Sequence, residues 1–155
     1  MANFVQAKLK GNMDLDLSRF EQKVKDVVLF SGVAAMAKSQ YDSVRDACPV
    51  SDHAHFFYGT SSKKTGQRYY FASGNLKAAI YRVYSPERSD ANKKTYRISW
   101  NHQKAPYGFM VEFGTSRAPA HPFVRPAFDH IREAITAGQN RMKQRLADGV
   151  VEVAE

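Results

Sequence analysis

HFFYGTSSKKTGQRYYF, residues 55–71, decides the fold class, because two short aromatic runs here flank a polar loop. Aromatic residues favour strands, whereas glycine, serine and threonine favour turns. The stretch therefore predicts a β-hairpin, spanning about 51–73 with its connections, whose tip carries Lys63 and Lys64. We expect this hairpin to project from the domain, with Tyr58 and the two lysines as candidate contacts to a partner protein.

A helical pattern precedes the hairpin. Ser18 and Glu21 match a capping box, in which the serine hydroxyl accepts the third helical N–H and the glutamate reaches back. Apolar residues then recur at helical spacing and predict a long helix over about 19–47, which a proline ends. Gly32 weakens or bends the middle of this helix, by up to about 1 kcal/mol relative to alanine. Residues 1–17 have weak periodicity and predict a flexible or partner-bound arm.

Three shorter segments follow the hairpin. Residues 75–84 predict a strand, and residues 95–100 predict another because apolar and polar side chains alternate there. Residues 107–113 are apolar and end at a glycine, so they predict either a strand or a short helix. The residues of the first segment that we expect to face inward are Leu76, Ala78 and Ile80.

A second long helix is predicted near the C-terminus. Pro126 suits its first turn, where no backbone donor is needed. The pattern continues for about six turns and closes near Gly149, which leaves residues 150–155 as an added strand or a disordered tail. The apolar residues at helical spacing are Val124, Phe128, Ile131, Ile135, Met142 and Leu146.

Strands between two long helices predict an α+β fold, with an antiparallel β-sheet packed against a long N-terminal and a long C-terminal helix. A chain of 155 residues fits one domain, which we place at 18–149 with the hairpin as an insert.

Cys48 is the only cysteine, so no internal disulfide forms, as is usual in a reducing cytoplasm. It lies beside a helix end and predicts a small buried side chain. We expect neither a membrane helix nor a secretion signal.

The chain is basic, with a formal net charge of +8. Such a charge favours a nearby polyanion or acidic protein partners without saying which. Most of the basic residues are explained as solvated side chains on exposed loops and helix faces, because they are spread along the chain. The densest groups are Lys63, Lys64 and Arg68; Lys93, Lys94 and Arg97; and Arg141, Lys143 and Arg145.

The common catalytic signatures are missing from the sequence, so we expect no enzyme, no cofactor and no metal. His53 and His55 alternate on a predicted strand and share a face, but a metal site needs a third ligand. Asn101 and His102 resemble part of a His-Asn-His nuclease, although no acidic metal ligand lies at suitable spacing. We interpret these histidines as exposed or hydrogen-bonded side chains.

Glu112 is the acidic residue that stands out, because it lies among apolar neighbours with Arg117 and His121 nearby in sequence. A buried acid beside a base is one sign of acid–base catalysis. We favour the alternative that Glu112 pairs with Arg117 or with backbone donors and pins a tight loop. Gly114 permits a positive φ there, and prolines stiffen the segment that follows. A rigid loop of this kind is suited to docking on a neighbour.

The same region resembles a phage protein family. Tyr107-Gly108-Phe109-Met110-Val111-Glu112-Phe113-Gly114-Thr115, followed by Ala118-Pro119-Ala120-His121-Pro122-Phe123-Val124-Arg125-Pro126-Ala127-Phe128, is similar to the hallmark of the gene-ten-like neck and minor tail proteins of HK-ninety-seven-type long-tailed phages. Weaker matches lie upstream, in Ala47-Cys48-Pro49-Val50 and Ser73-Gly74-Asn75-Leu76. The resemblance covers roughly 30–146. Residues 51–73 depart from the family pattern, in which the two upstream motifs are almost adjacent in sequence.

The resemblance implies a virion protein of the tail or neck, assembled in the host cytoplasm, that forms a ring and completes the tail or joins head to tail without catalysis. Its partners would be other copies of itself, neighbouring neck and tail proteins, and DNA passing through the lumen without sequence recognition. We expect Glu112, Phe113, Phe123, Arg125 and Pro126 to shape the motif. The candidate contacts are Gly114, Thr115, Arg117, Pro119, His121 and Pro122.

Alternatives remain open at this point. A tail terminator is hard to separate from a neck protein by sequence. A stand-alone, sequence-independent DNA-binding protein would use the net charge together with the hairpin aromatics, by phosphate contacts and base stacking. A metal-dependent hydrolase would use the histidines.

Overall fold

Two long helices pack side by side in the computed structural model, which describes residues 13–57, 65–66 and 68–152. Helix α1 spans Met13–Ala47 and helix α5 spans Ile131–Glu152, and their contact is the most extensive between elements in the described part of the chain. Between them lie, in chain order, β1 His55–Phe57, β2 Tyr69–Phe71, α2 Asn75–Ala79, β3 Ile80–Tyr84, β4 Tyr96–Trp100, α3 Gly108–Phe113 and α4 Val124–Ala127. Short 3-10 turns occupy Pro86–Arg88 and Phe128–His130.

The α+β class is confirmed, but the described strands form two separate antiparallel ribbons rather than one sheet. In the first, β1 pairs with β2 with Phe56 opposite Tyr70, as the hairpin prediction requires. In the second, β3 pairs with β4 with Arg82 opposite Ile98. Helix α2 lies between β2 and β3 along the chain and separates the ribbons.

Helix α1 begins earlier than the capping-box pattern predicts. It starts by Met13, so Ser18 lies inside the helix and the predicted cap there is wrong. Residues 13–17 belong to this helix rather than to an arm, and the rest of the predicted arm lies outside the described residues. A capping box stabilises a helix only where backbone donors lack partners, whereas inside a helix those donors bond to carbonyls of the preceding turn.

Gly32 marks a close crossing of α1 and α5 rather than a weak point. A Cβ at Gly32 would lie 2.3 Å from Cγ of Met142, and a Cβ at Gly138 would lie 2.2 Å from Cγ of Met36. Each glycine therefore leaves room for a methionine of the other helix. The crossing is close because neither position carries a side chain.

The predicted apolar face of the C-terminal helix is only partly correct. Pro126 does lie in a first helical turn, that of α4. The buried positions are the small residues Ala127, Ala134 and Gly138. The helix also continues past Gly149, so residues 150–152 are neither a strand nor disordered, and 153–155 lie outside the described residues. Four residues expected inside are exposed: Phe128 at 56%, Ile131 at 37%, Ile135 at 38% and Leu146 at 45%.

The three segments between the hairpin and Gly114 match their predicted secondary structure in part. Residues 75–84 form a short helix and then a strand, so Leu76 and Ile80 are buried as expected whereas Ala78 is exposed. Strand β4 matches its prediction, and residues 107–113 resolve into a short helix rather than a strand.

The core lies where α1, β3 and the loop region meet. Phe123 is fully buried, with its ring 5.7 Å from that of Trp100. Cys48 is also buried, as predicted, and burial raises the pKa of its thiol to about 11, so it is not a reactive thiolate. Within the described residues, no helix is both long and apolar enough to cross a membrane. The buried apolar cluster comprises Val44, Cys48, Leu76, Ala79, Ile80, Ala105, Tyr107, Phe123 and Ala127.

Candidate docking site

The carboxylate of Glu112 lies at the centre of the candidate site. Glu112 is only 2% exposed and sits near the end of α3. Its Oε2 accepts the backbone N–H of Phe123 at 2.8 Å and that of Val124 at 3.0 Å, and its Oε1 accepts that of Arg125 at 3.2 Å. These donors belong to the start of α4, where backbone N–H groups have no partner within the helix. We call this arrangement the Glu112 clamp.

Arg125 completes the clamp. Its Nε donates to Oε1 of Glu112 at 3.1 Å, and its Nη2 donates to the backbone oxygen of Glu112 at 2.9 Å. Burial alone would raise the pKa of Glu112, but the backbone donors of residues 123–125 and the Arg125 side chain outweigh it and lower the pKa. The prediction that backbone donors hold Glu112 is confirmed, whereas its basic partner is Arg125 and not Arg117.

The clamp fixes the base of the loop Gly114–Pro122, which we call the docking loop. The N–H of Gly114 donates to Met110 at 2.8 Å, and the N–H of His121 donates to Val111 at 2.8 Å. Gly114 has φ of +77°, as predicted, and a Cβ there would lie 2.8 Å from the backbone nitrogen of Ala120. Both its backbone conformation and its close packing therefore require glycine.

A turn within the docking loop holds its outer part. The N–H of Thr115 donates to Ala118 at 2.9 Å, while Oγ1 of Thr115 accepts the N–H of Arg117 at 3.2 Å and of Ala118 at 3.0 Å. Residues 115–122 are nevertheless all exposed. The loop thus bonds to itself and presents Thr115, Arg117, Pro119, His121 and Pro122 to solvent. These hydrogen bonds all lie within the chain, so they form without a partner.

An exposed apolar surface lies on α3, just before the docking loop. Phe109 is 58% exposed, Met110 44% and Phe113 52%. The rings of Phe109 and Phe113 lie 4.6 Å apart, and the guanidinium carbon of Arg125 lies 5.1 Å from the centre of the Phe113 ring. We call these four residues the aromatic patch. The sequence analysis missed it, although the spacing of four between the two phenylalanines puts them on one face once the segment is helical.

A cleft of about 400 Å³ separates the docking loop from the hairpin. His121 of the loop and His55 of β1 both line it. The cleft is mostly apolar, so it suits an apolar side chain of a neighbour better than a charged ligand. Its other main lining residues are Pro49, Val50, Leu76, Asn75, Tyr107 and Val111.

The hairpin carries the aromatic residues that the sequence placed there. Phe56 is 55% exposed and Tyr70 63% exposed, and their rings lie 5.5 Å apart across the ribbon. Tyr58, Lys63 and Lys64, the predicted contacts at its tip, lie outside the described residues.

The histidines occupy separate environments. The ring of His55 lies 5.1 Å from that of Tyr107, and the ring of His102 lies 5.3 Å from that of Trp100. His53 is exposed. Over residues 13–57 and 68–152, no group of three or more histidine, cysteine, aspartate or glutamate side chains is placed to hold a metal ion.

Part of the basic charge is paired within the fold. Lys94 contacts Asp26 at 3.0 Å, and Arg97 contacts Glu87 at 2.8 Å. The group predicted around residues 93–97 is therefore largely neutralised. Four basic residues in the described part of α5 are exposed, namely Arg132 and the predicted group Arg141, Lys143 and Arg145.

No protein-family model matches this chain, and comparisons with curated proteins and with solved structures give no match either. The likeness to gene-ten-like phage proteins accordingly depends on the residues around Glu112 and the docking loop.

Proposed function

We propose that this chain is a non-enzymatic structural subunit of a tailed-phage virion, which forms a ring at the head–tail junction and completes the tail or joins it to the head. The observation that carries the proposal is the docking loop. Its base is held by the buried Glu112 clamp, while residues 115–122 face solvent beside the aromatic patch. The residues that form this arrangement are also those that resemble the gene-ten-like family.

The arrangement suits assembly because a preformed loop loses little conformational entropy on docking. The aromatic patch adds the residue types that dominate interface energetics, namely aromatic side chains and arginine around a desolvated centre. A contact between the docking loop of one copy and a different surface of the next is head-to-tail, and such contacts form a ring when the rotation between copies closes. The cleft beside His121 is a suitable receiving surface.

DNA passing through such a ring would meet basic side chains without base recognition. The exposed cations of α5 and the net charge of +8 support contacts of this kind. They would weaken steeply as salt concentration rises, because phosphate contacts release counterions.

The proposal is tested by mass photometry of the purified full chain over a range of concentrations. We expect an oligomer of fixed copy number. Phe113→Ala in the aromatic patch should raise its dissociation constant at least about tenfold, as loss of an interface anchor does. Val27→Ala is the matched control, because Val27 is 56% exposed on α1 and lines a different surface, beside Lys94 and Arg145. Equal effects of the two substitutions would refute the role of the patch.

A second candidate is a stand-alone protein that binds single-stranded DNA. The exposed rings of Phe56 and Tyr70 favour it, since such rings stack on bases in a sequence-tolerant manner. It predicts that the free chain binds labelled single-stranded DNA at moderate salt, and that Tyr70→Ala weakens this binding. The structural proposal predicts weak or no binding by the free chain.

A further inference from the structure

Strand β3 has an exposed face with apolar side chains. Tyr81 is 42% exposed and Val83 41%, and Arg82 between them is exposed as well. In β4, by contrast, only Arg97 is exposed. Natural proteins usually blunt or cover an edge strand that carries such residues, because it pairs readily with another chain.

The backbone of β3 is also available on the side away from β4. The N–H of Ser85 donates to Thr95 at 2.9 Å, which places the hydrogen-bonded pairs at the odd-numbered positions of β3. Residues between such pairs direct their N–H and C=O outward. Arg82 and Tyr84 therefore present backbone groups to the open edge. Among the residues that the structure describes, β3 pairs with β4 alone.

The sequence ahead of α1 contains a segment with the pattern of a strand. Although periodicity over residues 1–17 as a whole is weak, apolar and polar residues alternate over the six positions Val5-Gln6-Ala7-Lys8-Leu9-Lys10. A period of two is the pattern of a β-strand with two different faces. Gly11 and Asn12 follow it in the sequence, ahead of Met13.

This segment is too short to cover β3 of its own chain. Arg82 lies beside α1 at Ala34, to whose oxygen its guanidinium donates at 3.1 Å. Ala34 is about 32 Å along the helix axis from Met13, at 1.5 Å of rise per residue. The centre of the segment, Ala7, reaches at most about 20 Å from Met13 when fully extended. A second copy has no such constraint.

We propose that residues 5–10 of one copy add as a third strand to the open edge of β3 in the next copy. The inference rests on the proposed function, because it takes another copy in the ring as the partner. Backbone hydrogen bonds to Arg82 and Tyr84 would supply affinity, and the alternating side chains would fix the register. The added strand would cover the exposed apolar surface of Tyr81 and Val83.

Proline substitutions in the full chain test the backbone pairing. Successive residues of a strand point their N–H groups to opposite sides, so either Gln6→Pro or Ala7→Pro must remove a donor to β3. At least one of the two should raise the dissociation constant of the oligomer about tenfold, the effect of losing one or two hydrogen bonds. Ala7→Thr, which favours a strand, is the control and should leave it unchanged. Unaltered assembly of both proline variants overturns the inference.

A synthetic peptide of residues 2–11 locates the contact. Added to the full chain carrying both prolines, it should bind saturably and slow amide hydrogen exchange at Arg82 and Tyr84. A scrambled peptide of the same composition should do neither, and Val83→Lys on the edge strand should weaken binding. Protection elsewhere, or equal binding of the scrambled peptide, overturns the inference.

The two proposals fail differently. If both proline variants form rings normally, the strand exchange is contradicted and the proposed function is not. A wild-type chain that is monomeric at every concentration contradicts the ring and, with it, strand exchange between copies, even if the peptide binds at β3.

Discussion

The Glu112 clamp and the crossing of Gly32 with Gly138 each hold two backbone segments close together, the first through a buried charge and the second through missing side chains. At the clamp, three backbone donors and Arg125 converge on one carboxylate. At the crossing, Met36 and Met142 occupy the space that a Cβ on either glycine would need.

The comparison distinguishes a contact that stabilises the helical frame from a contact that shapes an exposed surface. The crossing is internal to the two long helices, so its loss changes the whole frame. The clamp supports an exposed loop, so its loss frees a surface that we assign to docking. The stability of the Glu112 clamp depends on pH and on single-atom changes of its carboxylate. The stability of the glycine crossing depends only on the size of the side chains there.

Phe123 gives the largest expected effect, because it is fully buried directly after the docking loop. Phe123→Ala should lower the free energy of unfolding by about 3–5 kcal/mol, the usual cost of emptying a phenylalanine site. Phe113→Ala is the matched control at 52% exposure and should cost less than about 1 kcal/mol. Urea unfolding of both variants measures the difference. Similar losses would show that Phe113 belongs to the core after all.

Glu112→Gln tests the clamp itself. It keeps the shape but replaces one acceptor oxygen by an NH2 group facing backbone donors, so we expect a loss of about 2–3 kcal/mol. Glu87→Gln, which removes an exposed partner of Arg97, should cost at most about 1 kcal/mol. Hydrogen exchange in residues 114–122 should accelerate in the first variant only. Unchanged exchange there would mean that the clamp does not hold the loop.

Gly138→Ala tests the crossing. The new Cβ would lie 2.2 Å from Cγ of Met36 and 3.0 Å from the backbone oxygen of Gly32, so the helices must separate or Met36 must move. Overpacking costs about 1–3 kcal/mol, and the better helix propensity of alanine returns up to about 1 kcal/mol. A net loss of about 1–2 kcal/mol is expected in thermal or urea unfolding. Combining it with Met36→Ala should recover part of that loss, and strict additivity would argue against the crossing.

The pH dependence of the clamp is the smallest effect. The pKa of Glu112 is lowered in the folded chain, so its contribution is complete above the unfolded pKa of about 4.3 and disappears as pH falls through the folded value. The stability difference between wild type and Glu112→Gln should therefore shrink in acid. The pKa of Glu21 is lowered too, by Lys25, but this contribution is common to both proteins and cancels. A difference that stays constant from neutral pH to pH 3 contradicts the assignment.

The sequence predicts those features that neighbouring residues determine. Aromatic runs around a polar loop were sufficient for the hairpin, and a glycine after apolar residues was sufficient for the turn at Gly114. The sequence analysis offered two kinds of partner for Glu112, backbone donors and Arg117, the latter because it is close in sequence. Arg125 holds it instead because the docking loop folds the start of α4 back over α3, a tertiary contact without a local signal.

The exposed stripe that runs from the 3-10 turn Phe128–His130 into α5 was mispredicted for a related reason. Phe128, Ile131 and Ile135 have helical spacing and large apolar side chains, which normally identify the buried face. The helix packs through Ala134 and Gly138 instead, because the close crossing with α1 admits only small side chains. Small residues give no hydrophobic signal, so the true packing face could not be found by periodicity.

The proposed virion role is tested most directly by deleting the gene for this chain and examining, by electron microscopy, the particles that form in infected cells. The account predicts DNA-filled heads and tails that accumulate unjoined, or tails that are incomplete. Tails of aberrant length would assign the chain to tail termination within the same structural class. Normal, joined and infectious particles would contradict the account and favour the DNA-binding alternative.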